Sequence, residues 1–352
     1  MMNFSNRRYL DILKSQEKNN INGDCCELTS SDAFMLLIKG VSKQDLENLC
    51  EQLQLYFKNK SISIELTEDE CYRILQGEAV GPIEVDEKIK CDILEQAYML
   101  ADSGKYMGNN SVANGKINTS SWISHSLYVA KFSETIATEL KEKQKMAIDV
   151  DRIKAAALLH DYGRKFDHTM GHVTKGAEAL IDQGYPIAAV TTVTHSFFAG
   201  KRCANNEPAE PGFYTDESGK ECWSKDEIPD DIREYLETHK LTTSDLIINL
   251  GDLVATDRGI VKLSDRLEDI KTRRTIDPKN REYFLFQVIN GMTYMLEQVG
   301  ETVSEDLLEN MPKFGDGIEK AEDKIVQISG VLYDYTKRAI EEQGKSKKAR
   351  IH

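Results

Sequence analysis

From about residue 88 onward, apolar positions recur every three to four residues in one segment after another, the repeat of an amphipathic helix. Segments 89–104, 122–143, 149–163, 172–184, 185–198, 231–239, 243–259, 280–301 and 318–343 all carry it, and no series of alternating strands follows residue 84. The pattern predicts an all-α fold for this part of the chain. Before it, residues 42–57 place Leu46, Leu49, Cys50 and Leu53 at helical spacing. Residues 67–78 begin with Thr67 as a capping candidate and an acidic first turn, and end near Gly77. The alternation in "SISIEL" (61–66) predicts one short strand, and "AVGPIEVDEK" (79–88) reads as a linker. The expected organisation is a small N-terminal helical or mixed α/β unit, 1–84, and a larger helical domain, 85–352. Two polar stretches interrupt the helices: a Gly/Asn/Ser-rich loop at 104–121 and a long insert at 199–231. The basic tail "GKSKKARIH" is expected to fray.

Composition narrows the function classes. The 352 residues carry a formal net charge of -14 and no dominant basic stripe, which argues against duplex nucleic acid as a partner. An anionic ligand would need local positive charge from a metal or from clustered Arg and Lys. The seven cysteines are odd in number, irregularly spaced and free of a CxxC pair, the usage of reduced thiols in a cytoplasmic protein. No run approaches the roughly 18 apolar residues of a membrane span, and no apolar signal segment opens the chain. The Rossmann glycine pattern, the P-loop and the HExxH zinc motif are absent.

The chemistry concentrates in "ALLHDYGRKFDHTMGH" (157–172). His160 and Asp161 follow the run Ala155 to Leu159, which reads as a helix buried on most sides. An unpaired carboxylate there costs several kcal/mol or more, and a divalent cation removes that cost by pairing the charge. Taken alone, the pair reads equally as a hydrogen-bonded core histidine beside an exposed Asp161. The other positions shift the balance. His125 lies on an apolar helix, His172 opens one, His195 ends the run "AAVTTVTHSFF", and Asp252 sits inside "LIINLGDLVA" after Gly251.

The ordered set His125, His160-Asp161, His172, His195 and Asp252 resembles the HD superfamily of metal-dependent phosphohydrolases over roughly 120–275. "HSLYVAKFSETIA" resembles the family's first helix, "ALLHDYGRK" the helix bearing the HD pair, "HVTKGAEAL" the helix with His before Gly-Ala, and "NLGDLVATDRG" the last Asp-bearing helix. The family's frequent Lys after HD-x-G is Arg164 here, with Lys165 next. The resemblance implies an HD-type helical bundle in which His125, His160, Asp161 and Asp252 hold one metal. His172 and His195 would add a second, with Asp161 bridging. Imidazole with carboxylate suits Mn, Fe, Ni, Co, Zn or Mg.

The expected activity is hydrolysis of a nucleotide or other small phosphoester by metal-activated water. Arg164 and Lys165 are candidate phosphate ligands and catalytic groups beside Asp161. His168 competes with His172 for the ligand position, which His172 takes because Gly176-Ala177 follow it at the family spacing; otherwise His168 is a candidate proton donor or substrate contact, and Asp257, Arg258 and Arg266 are candidates for substrate binding. Two other classes fit the same residues: an HD-fold di-iron oxygenase and a non-catalytic nucleotide-binding module. The insert 199–231 starts four residues after His195 and carries Lys201, Arg202, Phe213, Tyr214 and Trp223. It reads as a lid that sets substrate choice, or as a contact between subunits of a homo-oligomer.

Overall fold

Helix capping is written plainly into the sequence at several helix starts. The computed structural model describes residues 4–19, 25–43, 46–62, 64–104, 111–113, 116–118, 122–169, 171–196, 214–215, 221–222, 230–236, 238–239, 241–273, 278–309, 311–312 and 315–351. In chain order the helices are α1 (Arg7–Asn19), α2 (Ser30–Ile38), α3 (Glu47–Asn59), α4 (Glu68–Leu75), α5 (Glu87–Asp102), α6 (Trp122–Lys143) and α7 (Val150–Leu159). A 3-10 turn, Tyr162–Lys165, separates these from α8 (His172–Asp182), α9 (Pro186–Thr194), α10 (Asp230–Leu236) and α11 (Thr243–Val254). Then follow α12 (Leu263–Arg273), α13 (Pro278–Gln298), α14 (Glu305–Glu309) and α15 (Ile318–Ile351). The only strands among the described residues form three short antiparallel hairpins: β1 (Ser111–Ala113) with β2 (Lys116–Asn118), β3 (Tyr214–Thr215) with β4 (Glu221–Cys222), and β5 (Ala255–Thr256) with β6 (Gly259–Ile260). The all-α expectation holds.

Side-chain caps start α2, α4, α5, α7 and α11. Thr29, Asp86 and Asp149 accept from first-turn amides, and Thr67–Glu70 and Thr242–Asp245 form reciprocal capping boxes. Pro186 opens α9, where its missing N–H is no loss.

Helix α6 is the axis of the fold. It is buried along most of its length and packs against α5, α7, α11 and α15. The alanines 155–157 of α7, all fully buried, present little bulk to its neighbours. Helix α2 packs on α7 and helix α1 on α8, α9 and α10. One continuous buried set runs from Phe4 to Ala339, so residues before 85 share a core with those after it.

Several local expectations are revised. In 61–66 the described residues form no strand. Ser61 has φ 57, a left-handed turn that closes α3, and among the described residues no strand pairs with this segment. The helix expected over 149–163 stops at Leu159, and a 3-10 turn takes over at Tyr162. The helix expected over 243–259 stops at Val254, and the chain reverses in the β5–β6 hairpin, where Gly259 takes φ 144. The tail expected to fray continues α15 to Ile351. Most of the insert 199–231 lies outside the described residues.

Between the 3-10 turn and α8, backbone meets backbone. A Cβ on Gly163 would lie 1.8 Å from the His172 carbonyl oxygen and 2.8 Å from the Gly176 nitrogen. A Cβ on Gly176 would lie 2.8 Å from the Gly163 nitrogen. Neither obstacle is a side chain that can swing away. Gly163→Ala is therefore expected to destabilise the fold by at least about 3 kcal/mol. Urea unfolding of the variant against the wild type measures the difference.

Candidate metal centre

Six titratable side chains from five separate parts of the chain converge. His125 comes from α6, His160 from the end of α7, Asp161 from the break after it, His172 from the first turn of α8, His195 from the end of α9, and Asp252 from α11. They form two groups of three donors that could each hold a metal ion: His125, His160 and Asp161, and Asp161, His172 and His195. Asp161 belongs to both. Its Oδ1 lies 3.1 Å from His172 Nε2 and 3.6 Å from His195 Nε2, while its Oδ2 lies 3.8 Å from His160 Nε2. Asp252 Oδ1 completes the first group, 2.8 Å from His125 Nε2 and 3.7 Å from His160 Nε2.

Local sequence aims the rings. His160 Nδ1 donates to the Ala157 carbonyl (2.7 Å), His172 Nδ1 to Thr169 (2.6 Å) and His195 Nδ1 to Thr191 (3.2 Å). A carbonyl oxygen only accepts, so Nδ1 carries the proton in each ring. In the neutral imidazole the lone pair is then on Nε2, which faces the cluster. The loop before α8 is itself fixed: Asp167 accepts from the Thr169 amide and hydroxyl and from Lys175, and Thr169 in turn supplies the carbonyl for His172. Across the site, Gly251 lets α11 lie against Val129 and Phe132 of α6, next to Asp252 and His125.

The electrostatics favour ionised carboxylates. Burial by itself would raise the Asp161 pKa, but the Arg164 charge and the surrounding imidazoles of His160, His172 and His195 hold it well below the usual carboxylate range. Burial acts the same way on Asp252, and His125 and His160 outweigh it. Burial pushes His125 and His172 down toward the neutral, ligating form. The donor types, imidazole and carboxylate, are those that divalent first-row ions and Mg take.

The remaining sequence candidates divide. Arg164 is at the centre: Nε bonds Asp161 Oδ1 at 3.1 Å and Nη1 donates to the His168 carbonyl at 2.9 Å. His168 lies beside it, half-buried, with Nδ1 buried and unpartnered. Burial and the Arg164 charge lower its pKa. Lys165, expected beside the phosphate, is used elsewhere. Its ammonium donates to the Leu36 carbonyl (3.2 Å) and to that of Lys39 at the end of α2, and lies 4.8 Å from the Tyr162 ring centre. The 3-10 geometry after Asp161 turns consecutive side chains to different sides, so Arg164 faces Asp161 while Lys165 faces the end of α2. Asp257 and Arg258 pair with each other at the turn of the β5–β6 hairpin, where the Arg258 side chain is 85% exposed. Arg266 is half-buried on α12, which packs against α11 and α15.

Ser196, which no sequence pattern marks, has its hydroxyl 2.9 Å from His195 Nε2. His239 and Asp245 form a buried pair at 3.3 Å. Only the T-x-x-D spacing marked Asp245, and that spacing by itself announces a helix cap.

Residues 122–257 match the family model of the HD domain, and this stretch of the chain contains all six donors. No curated protein and no solved structure matches the chain. No helix among the described residues is long and apolar enough to cross a membrane.

Burial pushes the Lys165 ammonium down to about 8. An unfolded lysine titrates near 10.4, so between these values the unfolded chain holds more protons than the folded one. Stability from this group therefore rises with pH across that window. Lys165→Met is expected to flatten the rise, read from urea midpoints of both proteins at pH 7.5 and pH 10.

Proposed function

We propose, on the premise that residues 122–257 form an HD domain, that this protein is a metal-dependent phosphohydrolase acting on a nucleotide or other small phosphoester. The observation that carries the reading is Asp161, a buried carboxylate with one oxygen toward each of two histidine groups. His125, His160, Asp161 and Asp252 would hold one divalent ion, and Asp161, His172 and His195 a second. Ions there would supply a Lewis acid for phosphoryl oxygens and lower the pKa of water. Arg164 adds a fixed positive charge beside Asp161, suited to a phosphoryl oxygen in a planar two-point contact. His168, its pKa lowered, serves as a neutral hydrogen-bonding contact to substrate rather than as a cationic acid. Arg258 and Arg266 are the proposed contacts for phosphate groups farther from the reacting phosphorus.

Metal analysis of protein made without added metal, followed by a panel of phosphorylated metabolites assayed with Mn, Mg, Ni, Co, Zn and Fe, tests this reading. Phosphoester hydrolysis with at least one of these ions is the expected result. Two bound irons with a cleavage that consumes dioxygen would overturn it in favour of an oxygenase.

The shared carboxylate makes an unequal prediction for two variants. Asp161→Ala is expected to lose metal from both groups and at least about 10²-fold in kcat/KM while staying folded. His125→Ala is expected to keep one ion. Metal content per chain, measured after gel filtration, separates the two outcomes.

A further inference from the structure

Behind His195 lies a second polar cluster that the proposed chemistry does not use. Thr194, the last residue of α9, donates from Oγ1 to Asp245 Oδ1 at 3.2 Å. Asp245 Oδ2 accepts from the Thr242 amide (2.8 Å), the Thr242 hydroxyl (2.6 Å) and His239 Nε2 (3.3 Å). His239 Nδ1 faces the Tyr235 hydroxyl at 3.3 Å, and the two rings stack with centres 5.4 Å apart. With the proton on Nε2, His239 donates to Asp245 and accepts from Tyr235, so every polar atom of the cluster has a partner.

A helix cap alone does not account for this arrangement. The Thr67–Glu70 capping box does the same local work at an exposed helix start. Asp245 is instead 7% exposed, His239 6% and Thr194 1%. Burying a carboxylate is unfavourable unless partners surround it. Here the partners come from α9, from the segment after α10, and from the start of α11. Asp245 and Asp252 are seven residues apart on α11, about two turns, so one side of that helix reaches both the end of α9 and the His125 group. The carboxylate thus joins the helix carrying His195 to the helix carrying Asp252.

We propose that Asp245 is a positioning residue for His195: through Thr194 it fixes the end of α9 against α11, and so sets the place of His195 relative to Asp161 and His172. Thr194 is the residue before the ligand, and α9 ends there, so its hydroxyl bond restrains the backbone that carries the ring. His239 orients Asp245 from below and shields it from water. The inference rests on the two-ion reading of the site.

The test titrates metal-free protein with Mn²⁺ alone, followed by calorimetry and electron paramagnetic resonance. It compares the wild type, Thr194→Val, which removes the donor at nearly constant shape, and Thr194→Ser, which restores it. The wild type is expected to bind two ions with an exchange-coupled signal. Thr194→Val should weaken one binding step on the order of 10- to 100-fold, leave the other within about twofold, and lose the coupled signal at two equivalents. Thr194→Ser should recover both steps. Should the valine variant fail to fold, His239→Gln is read the same way, with the same step weakened. A folded variant that binds both ions like the wild type overturns the proposal and leaves the two-ion reading standing. Equal weakening in the valine and serine variants also overturns it, because packing rather than the hydroxyl would then be at work. A wild type that takes up no Mn²⁺ overturns both readings.

Discussion

Close approach of bare backbone at Gly163 and Gly176 is the constraint on which the centre hangs. Asp161 lies two residues before Gly163, and His172 lies four residues before Gly176. When the two backbones touch, the carboxylate and the imidazole are delivered to within 3.1 Å of each other. A side chain at either glycine would push the 3-10 turn away from α8 and part the shared carboxylate from one of its two histidine groups. On the opposite side Gly251 seats α11 against the side chains of Val129, Phe132 and Ser133 on α6, and the next residue, Asp252, reaches His125.

The helix break after Leu159 follows from the same geometry. His160 keeps helical backbone angles, φ -54 and ψ -40, and the chain leaves the helix at Asp161, with φ -99 and ψ 18, before winding into the 3-10 turn. Both side chains reach one donor group from this junction. It also sends Arg164 back onto Asp161 while Lys165 turns to the carbonyls at the end of α2. One short segment therefore supplies a donor pair, a neighbouring cation and an anchor to the N-terminal helices.

Those N-terminal helices hold the site's supports from outside. Glu27 accepts from the amides of Ile187 and Ala188 at the start of α9, meeting the positive end of that helix. Asp151, near the start of α7, accepts from the amide and hydroxyl of Ser30, and Arg152 donates to the Cys26 carbonyl. Lys14 and Arg7 both pair with Glu234 on α10. Helices α7 and α9, which end in His160 and His195, are thus each tied at the start to the segment between Cys25 and Ser30.

Much of the centre could be read directly from the sequence. Histidine and aspartate inside apolar helical runs are conspicuous because burial makes them expensive unless they are paired, and all six residues singled out on that ground do converge. Helix α6 was legible to the residue, since its periodicity and length left no competing choice. Lys165 was not legible. Its position beside Arg164 suggested a common role, and only the 3-10 turn, a product of packing at Gly163, separates the two. The strand expected at 61–66 failed for a related reason: alternation permits a strand, but a strand needs a partner, and none pairs with this segment among the described residues. Asp245 and His239 stayed hidden because a capping pattern reads the same whether it is exposed or buried. What the sequence by itself determined was the set of chemical groups and the helices that carry them, because periodicity and side-chain chemistry are local. Which groups meet was decided by the tertiary structure, because the backbone contact between Gly163 and Gly176 and the packing of Gly251 against the α6 side chains join separate segments of the chain.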